Sequence, residues 1–437
     1  MFSRDSVVAE RKWAVLVGVT TSGSHASTHW FKSFYEACQK RHIMICGVDF
    51  EEELKNKIPP ISVDCLIRIS GLYRRSLDAD EIAKIVTEIE TRCPGRVALS
   101  TALRENYQLQ NSLLAEAIGV ARNTADCIER IQDKPACRDA LRKAGIYQPQ
   151  SLRIVGVTSD GCLQFSDASG AVVEKPTDSP RGWIVKPSIG MGSVGVRHIL
   201  NVEDTSGLDA VVLEGGYCLE EFITGIEYSV EGIAIDGRVC IYTTTAKTTN
   251  EDFVEIGHIQ PADLNSISSK RELEEQLQSC VNALGIECGN LHVEFWVTPE
   301  KKIVWGEFHV RQGGDFIAPD LVSAVRPGID YYGNLIDSLC GLPLHPLPEI
   351  TQCAASKFIE ASPGVVSEVS LYDSVPEEID LYWECFPGEV AHAVNGSHAR
   401  VAAIVARGND EHTVTQLLDR AANACVCLLY TSDAADE

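Results

Sequence analysis

Short apolar runs alternate with helical stretches over the first hundred residues of the chain. Residues 13–18 (WAVLVG) and 43–50 (IMICGVDF) are apolar runs of strand length, and a helical stretch over 29–41 separates them. The same pattern continues with a strand, a helix and a strand at 62–70, 78–90 and 97–102. This β–α–β order predicts a parallel, doubly wound sheet at the start of the chain.

The pattern changes twice further along the chain. Residues 105–145 are helical in character, and Gly145 is placed to end the last helix. From residue 183 strands dominate, with hairpin turns predicted at Asp236–Gly237 and at Pro299–Lys302.

Composition narrows the classes of protein. The 437 residues are 45% hydrophobic, which is enough for two or three domains with cores of their own. The lack of an 18-residue apolar run argues against a membrane span, and the N-terminus lacks the apolar region of a secretory signal, so we expect a cytoplasmic protein. A net charge of −24 argues against nucleic acid as a partner. Sixteen scattered cysteines without a C-x-x-C spacing indicate reduced thiols, with neither a disulfide framework nor zinc.

The stretch GMGSVG (190–195) is a literal G-x-G-x-x-G. A dinucleotide-binding turn needs a helix after these glycines, but VGVRHILNV (194–202) alternates like a strand. A protein kinase carries its lysine on a later strand, and no lysine occurs from 187 to 246. What remains is Lys186 directly before a hairpin loop whose glycines let backbone amides approach phosphate oxygens. A glycine-rich surface turn is the alternative.

The predicted hairpin over 291–311 places acidic side chains together. A turn at Pro299–Lys302 pairs Thr298 with Ile303 and, in the same register, sets Glu294 opposite Glu307. Strand alternation places further side chains on the face of these carboxylates: His292, Trp296, Trp305, His309 and Arg311.

Two facing carboxylates repel each other, since opposed side chains on neighbouring strands lie roughly 5 Å apart. A divalent cation removes that repulsion, and a partial cage of hard oxygen ligands suits Mg²⁺ completed by phosphates and water. Two solvated acids on an exposed sheet face are the alternative.

These motifs, taken in order, resemble the ATP-grasp superfamily over about residues 133–320. The segments that carry the resemblance are 133–146 (DKPACRDALRKAGI), 183–196 (WIVKPSIGMGSVGV), 219–232 (LEEFITGIEYSVEG) and the hairpin that ends in GEFHVRQGGDF. Within the superfamily the chain is most similar to carboxylate–amine ligases, namely the amino-acid ligases of the bacilysin synthetase and carnosine synthase type.

The resemblance implies roles for individual residues. It implies an ATP site formed by Lys134, Lys186, Ser188, Gly192, Ser193, Glu220, Glu221, Ile223 and Glu227. It implies metal ligation by Glu294, Glu307 and His309. It implies catalytic roles for Arg311, Gly313 and Gly314, and a substrate pocket that includes His258 and Asp315.

Two of these assignments have structural alternatives. Glu227, Ser229 and Glu231 alternate with Tyr228 and Val230, so an ordinary strand with a wet face competes with ribose binding by Glu227. His309 stands where the family usually has asparagine. An imidazole is a poorer Mg²⁺ ligand than an amide oxygen and also suits Mn²⁺, so a structural histidine is the alternative to a ligand.

The resemblance implies an α/β protein of ATP-grasp fold. We predict a Rossmann-like N-terminal domain (1–130), a small β-rich lid subdomain (131–222), a catalytic core (223–345) within the C-terminal α+β part, and a C-terminal region (346–437) whose helix near 412–426 precedes a disordered tail from Leu428.

The implied function is ATP- and Mg²⁺-dependent ligation of a carboxylate and an amine through an acylphosphate. The implied partners are small-molecule substrates, and a homodimer is left open. The alternatives are a non-catalytic ATP-binding sensor and a biotin-dependent carboxylase, which would need a separate biotin carrier.

Overall fold

The computed structural model describes residues 11–21, 23–71, 76–157, 162–177, 179–202, 216–264, 270–371, 374–392 and 399–430. None of the helices within these ranges has the length and apolar character needed to cross a membrane. The chain divides into two compact units. The first comprises 1–128, 287–289 and 330–346, and the second comprises 129–286, 290–329 and 347–437. The four-region division stays a prediction.

The helices, in chain order, are α1 (His25–Lys40), α2 (Glu51–Asn56), α3 (Ala79–Arg92), α4 (Gln108–Ile118), α5 (Ala125–Gln132), α6 (Lys134–Lys143), α7 (Lys270–Leu284), α8 (Val322–Val325), α9 (Tyr331–Leu339) and α10 (Glu411–Ala424). The strands are β1 (Lys12–Val17), β2 (Ile43–Phe50), β3 (Cys65–Ile69), β4 (Arg96–Thr101), β5 (Ser151–Val157), β6 (Leu163–Ser166), β7 (Val172–Val173), β8 (Trp183–Pro187), β9 (Arg197–Ile199), β10 (Tyr217–Glu221), β11 (Ile226–Ile235), β12 (Arg238–Thr249), β13 (Glu255–Gln260), β14 (Gly289–Val297), β15 (Ile303–His309), β16 (Cys353–Ile359), β17 (Gly364–Leu371), β18 (Ile379–Trp383), β19 (Val390–Ala391), β20 (Ala402–Gly408) and β21 (Cys425–Tyr430). Short irregular turns lie at Glu105–Tyr107 and Ile317–Leu321.

The first unit contains a parallel sheet in the order β3–β2–β1–β4, which confirms the predicted doubly wound start. The apolar runs become its buried strands, and α3 packs on the sheet through Ile85 and Ile89. Helix α3 begins at Ala79 because Asp78 and Glu81 form a capping box that satisfies its first amides.

In the described part of the second unit the strands form three sheets. Their strand orders are β7–β6–β5–β10–β8–β9, β15–β14–β11–β12–β13–β16–β20–β18 and β19–β17–β21. The predicted turn at Asp236–Gly237 joins β11 to β12, and both residues have a positive φ (46° and 74°), as a tight hairpin turn requires. The mixture of a parallel sheet and antiparallel sheets agrees with the predicted fold class.

The glycine-rich loop lies between two antiparallel strands, as predicted. β8 pairs with β9, from Trp183 opposite Ile199 to Val185 opposite Arg197. No helix follows the glycines before β9, so the dinucleotide-binding interpretation is excluded.

The end of the chain differs from the prediction. Helix α10 ends at Ala424, and β21 continues to Tyr430 by pairing with β17. The prediction that Leu428 begins a disordered tail is therefore wrong for the first three residues, because the apolar run CVCLLY offers a complete strand edge to β17. Residues 431–437 lie outside the described ranges.

Candidate active site

The first predicted phosphate lysine is anchored at a helix start in the second unit. Asp133 caps α6 by accepting a hydrogen bond from the Ala136 amide (2.9 Å). The Lys134 amide donates to the Ser188 carbonyl (3.0 Å), and Lys134 Nζ donates to the Gly190 carbonyl (3.0 Å). The start of α6 is therefore bonded to the start of the glycine-rich loop.

The second phosphate lysine belongs to a buried ion cluster. Lys186 Nζ on β8 lies 2.8 Å from the Glu220 carboxylate on β10. Arg138 on α6 donates to both oxygens of the same carboxylate (2.8 and 3.0 Å), and Ser151 Oγ donates to one of them (3.1 Å). Burial alone would raise the pKa of Glu220, but Arg138 and Lys186 hold that pKa well below its usual range.

Glu307 brings the two lysines together. Its Oε2 lies 3.3 Å from Lys134 Nζ, and its Oε1 lies 3.5 Å from Lys186 Nζ. His309 Nε2 is 3.7 Å from the same carboxylate. Two predicted phosphate ligands and two predicted metal ligands from three separate segments therefore share one cluster.

The β14–β15 hairpin contains a bulge that strand alternation does not predict. Val297 pairs with Ile303 beside the turn, so the predicted Thr298–Ile303 pair is wrong; the Thr298 amide instead donates to the Lys302 carbonyl (2.9 Å). Beyond the bulge, pairing resumes with the predicted partners His292 and His309. Between these two stretches Glu294 alone faces Gly306 and Glu307.

The bulge moves one side chain to the other face of the hairpin. Trp305 is buried against Phe295 (ring centroids 5.4 Å apart) and Phe308 (6.1 Å), so its predicted place on the carboxylate face is wrong. The extra residue in β15 reverses the alternation between Trp305 and Glu307. Gly306 is required here, since a Cβ would lie 2.6 Å from the Trp296 ring.

A second cluster forms around Lys247 on β12. Its Nζ lies 2.6 Å from Glu294, 2.7 Å from Glu255 and 3.2 Å from Glu227. Burial raises the pKa of Glu227 to about 7 against the opposing charge of Lys247. Burial would also raise the pKa of Glu294, but Lys247 and the neighbouring histidines hold it well below its usual range. One ammonium is thus the cation shared by three carboxyl groups.

His292 extends this cluster into the sheet. Its Nδ1 lies 3.0 Å from Glu231, and its Nε2 lies 3.5 Å from Glu294. Ser229 Oγ and Thr245 Oγ1 donate to Glu231 as well (2.7 and 3.2 Å). Burial would lower the pKa of His292, but Glu231 outweighs it and raises that pKa to about 9. The alternative of an ordinary strand with a wet face does not fit β11, because Ser229 and Glu231 are fully buried in polar contacts.

The two predicted substrate residues lie together beside Glu255. His258 Nε2 is 2.6 Å from the Glu255 carboxylate, and His258 Nδ1 is 3.0 Å from Ser356 Oγ. Asp315 forms an ion pair with Arg400 (2.7 Å), whose guanidinium also donates to the Glu255 carbonyl. Ligand atoms of His258, Asp315 and Glu255 lie within 4.8 Å of one another.

The predicted catalytic residues follow β15 directly. Arg311 is half-buried, and its Nη1 donates to the Gln312 carbonyl (2.6 Å). Gly313 packs so tightly that a Cβ would lie 2.9 Å from Glu231 Oε2, whereas a Cβ on Gly314 would have no neighbour within 4 Å. Close packing thus explains a glycine at 313 but not at 314.

The predicted lid and adenine hinge lie at the ends of β8 and β10. Gly192 and Ser193 both have a positive φ (69° and 59°), and Ser193 Oγ donates to the Phe253 carbonyl (2.8 Å). Glu221 ends β10, where its amide donates to the Gln150 carbonyl (3.0 Å), and Ile223 follows two residues later, half-buried.

The predicted metal ligands divide between the two clusters. Glu307 and His309 lie with the phosphate lysines, whereas Glu294 forms a group with Glu227 and Glu255 whose ligand oxygens lie within 4.8 Å of one another. Among the described residues, the groups of three metal-ligating side chains do not contain Glu294 together with Glu307.

Several charged residues of these clusters were missed by reasoning from the sequence: Arg138, Lys247, Glu255, His292 as an ion-pair partner, and Arg400. The quoted motifs contain only Arg138 and His292, and a lysine in a Thr-rich strand or an arginine in a helix looks like an ordinary surface residue. Only the positions of Glu220, Glu294 and Asp315 in space show what these cations neutralise.

Comparison with known proteins supports the resemblance found in the sequence. Residues 180–320 match the family model described as the ATP-grasp domain. A search of curated proteins gave no match.

Solved structures resemble the chain over almost its whole length. An L-amino acid ligase from Bacillus licheniformis is 16% identical, with a TM-score of 0.73, covering 96% of this chain and 99% of that one. Phosphoribosylglycinamide synthetase from Anaerococcus prevotii is 14% identical (TM-score 0.67; 96% and 100% covered). N5-carboxyaminoimidazole ribonucleotide synthetase from Thermotoga maritima is 16% identical (TM-score 0.63; 96% and 100% covered). At these identities the likeness establishes the fold, and the chain has the ATP-grasp fold.

Proposed function

We propose that the chain is an ATP-dependent carbon–nitrogen ligase that joins the carboxylate of an amino acid to an amine. The observation that carries the proposal is the convergence of Lys134 and Lys186 on Glu307. These residues come from three separate segments to which the family resemblance assigns phosphate or metal binding. The similarity in fold to an L-amino acid ligase and to two synthetases supports the same class of reaction.

The reaction has two steps. A carboxylate oxygen of the first substrate attacks the γ-phosphorus of ATP, and the bond from that phosphorus to the bridging oxygen breaks to release ADP. The amine nitrogen of the second substrate then attacks the acyl carbon, the carbon–oxygen bond to phosphate breaks, and phosphate leaves as the nitrogen loses a proton. The protein contributes mainly position and charge neutralisation, as in phosphoryl transfer generally.

The ATP-binding roles are assigned to two regions of the second unit. Lys134 and Lys186 would bind phosphate oxygens, with the backbone of the glycine-rich loop closing over them as a lid: Ser188, Gly192 and Ser193. The backbone of Glu221 and Ile223 would meet the adenine edge, and Glu227 would accept hydrogen bonds from the ribose hydroxyls. The side chain of Glu220 is already bonded to Arg138, Lys186 and Ser151, so we assign it to holding Lys186 in place.

The acidic residues fit a hard divalent cation. Glu294 and Glu307 lie on adjacent strands and offer carboxylate oxygens, the donors that Mg²⁺ prefers, and His309 beside Glu307 would be a third ligand better suited to Mn²⁺. When bound, the ion would neutralise the negative charge of the phosphoryl group during its transfer.

Arg311 would offset negative charge on the transferring phosphoryl group and on the tetrahedral intermediate. The amides of Gly313 and Gly314 would bind a substrate oxygen, and His258 and Asp315 would line the substrate pocket. Small-molecule carboxylates and amines are thus the proposed partners, in the cytoplasm, and a homodimer is a further proposal.

The test is ADP release with a panel of amino acids as carboxylate and amine donors, with mass spectrometry of the products. Glu307→Ala and Arg311→Ala should each lower turnover by about 10²–10³-fold, the effect of removing one transition-state stabiliser. Matched controls are Glu300→Ala, at the exposed turn of the same hairpin, and Arg271→Ala, exposed on α7. Circular dichroism checks that the variants fold.

Two outcomes would contradict the proposal. Full turnover by Arg311→Ala would show that the catalytic assignment is wrong. ATP binding without turnover across the whole panel would favour a sensor on the same fold.

A further inference from the structure

Three cysteines meet in the core of the first unit, which contains none of the residues assigned to the ATP site. Cys46 on β2 and Cys65 on β3 are direct partners in the parallel sheet, so their side chains lie on the same face. Cys93 is the C-cap residue that directly follows α3. The three residues are buried, and their sulfur atoms all lie within 4.8 Å of one another.

This spacing is close to that of a metal–thiolate site. With metal–sulfur bonds of about 2.3 Å, three sulfurs in a plane around one ion lie about 4.0 Å apart. The side chains therefore need only a small inward movement to meet a common ion. Other buried cysteines, such as Cys38, do not form such a group with metal-ligating side chains in the described ranges.

The surroundings of the group include a positive charge. Arg92, the last residue of α3, is close enough to Cys46 and Cys65 to interact electrostatically with both. A divalent ion bound by three thiolates has a net charge of −1, which Arg92, already paired with Glu88 (3.1 Å), would offset in part. Thiolate sulfur is a soft ligand that selects thiophilic ions over Mg²⁺ or Ca²⁺.

We propose that Cys46, Cys65 and Cys93 bind one thiophilic metal ion, such as Cd²⁺, Zn²⁺ or Cu⁺, through three sulfur atoms. Binding of a divalent ion exchanges three S–H bonds for three metal–sulfur bonds and releases three protons. The site is independent of the proposed ligase activity. No short cysteine motif encodes it, since the ligands come from two strands and a helix end.

The experiment is a titration of the reduced full-length chain with Cd²⁺. It follows the cadmium–thiolate charge-transfer absorbance, the protons released and the cadmium–sulfur coordination number from X-ray absorption. The first equivalent of Cd²⁺ should show three sulfur ligands and release three protons. Cys93→Ala should lower the affinity for the first equivalent of Cd²⁺ by more than the roughly 10–100-fold that is typical of losing an outer-shell partner of a metal ligand. Cys38→Ala, a buried cysteine of the same unit, should leave it unchanged.

The triple variant with alanine at 46, 65 and 93 should lose the first equivalent entirely. If that variant does not fold, the affinity of Cys93→Ala and the number of sulfur ligands in the parent protein still test the proposal. The proposal is overturned if the first equivalent has fewer than three sulfur ligands or is unchanged in Cys93→Ala. It is also overturned if the fully reduced protein does not bind Cd²⁺ tightly.

Discussion

Lys247 offers a quantitative test of how the acidic clusters are held. Its ammonium is the cation shared by Glu227, Glu255 and Glu294, and its side chain is fully buried. Replacing it with methionine keeps most of the volume and removes the charge. Three carboxylates whose ligand oxygens lie within 4.8 Å of one another would then face each other directly.

The size of the effect follows from two estimates. At an effective dielectric constant of about 20, two charges about 4.8 Å apart repel by about 3.5 kcal/mol. This repulsion applies fully to Glu255 and Glu294 and only in part to Glu227, whose pKa is already about 7 in the parent protein. Protonating one ordinary glutamate at pH 7 costs about 3.7 kcal/mol, so the variant would take up a proton rather than bear the full repulsion. We therefore expect Lys247→Met to lower the free energy of unfolding by about 3–5 kcal/mol, as when one partner of a buried ion pair is removed.

The pH dependence has a definite sign. In the parent protein the pKa values of Glu255 and Glu294 are lowered, so their contribution to stability is present above the ordinary carboxylate pKa and is lost as pH falls. Without Lys247, burial and mutual repulsion would raise the pKa of all three acids, and stability would then fall as pH rises from about 4.5. The difference between the proteins should be largest at pH 7 and smaller at pH 5.

Urea unfolding would measure this difference in stability. Hydrogen exchange of the backbone amides of β11, β12 and β14 would serve as the probe, because these strands belong to the second unit. The matched control is Lys357→Met, which removes a lysine from an exposed ion pair with Asp419 (2.8 Å) and should change stability by about 0–1 kcal/mol. Adding Glu294→Gln to Lys247→Met should recover part of the loss. A loss below about 1 kcal/mol, or one equally large at pH 5 and pH 7, would refute the reasoning.

Two further substitutions test the other features of the site. Gly306→Ala should destabilise the protein by about 1–3 kcal/mol, because the alanine Cβ would lie 2.6 Å from the Trp296 ring. An unchanged thermal melting temperature would contradict the tight packing at the bulge. Glu220→Gln should lower the free energy of unfolding by about 3–5 kcal/mol at pH 7, because Arg138 and Lys186 would stay buried with less negative charge beside them. Urea titrations should show that this difference between variant and parent shrinks at low pH, where Glu220 of the parent protein also becomes protonated.

Local patterns predicted the elements of the fold well. The central strands β1 and β2 of the first unit are mostly apolar runs, and the Asp236–Gly237 turn needs two residues that tolerate a positive φ, so local chemistry is sufficient in both places. The prediction for the residues at the end of β21 failed because pairing with β17, which is distant in sequence, decides whether CVCLLY forms a strand.

The bulge in β15 shows why site geometry was harder to predict. Alternation assigns every second residue to one face, and one extra residue breaks that assignment between Trp305 and Glu307. A glycine inside a strand, Gly306, was the available indication of such an irregularity. The sequence indicated which residues could form the candidate site, but the partners of these residues depend on contacts between distant segments.

Contact lengths and exposure separate the acid that holds the site together from the acid that is available for chemistry. Glu220 is 3% exposed and receives short contacts from Arg138, Lys186 and Ser151 (2.8–3.1 Å). The Glu307 side chain is 21% exposed, and its contacts with Lys134 and Lys186 are longer, at 3.3 and 3.5 Å. Longer contacts at a partly exposed carboxylate are weaker. If the two lysines bind phosphate as proposed, they would exchange Glu307 for phosphate oxygens while Glu220 still holds Lys186. Under the proposed function, Glu307 would then be released to a metal ion by the same exchange that binds ATP.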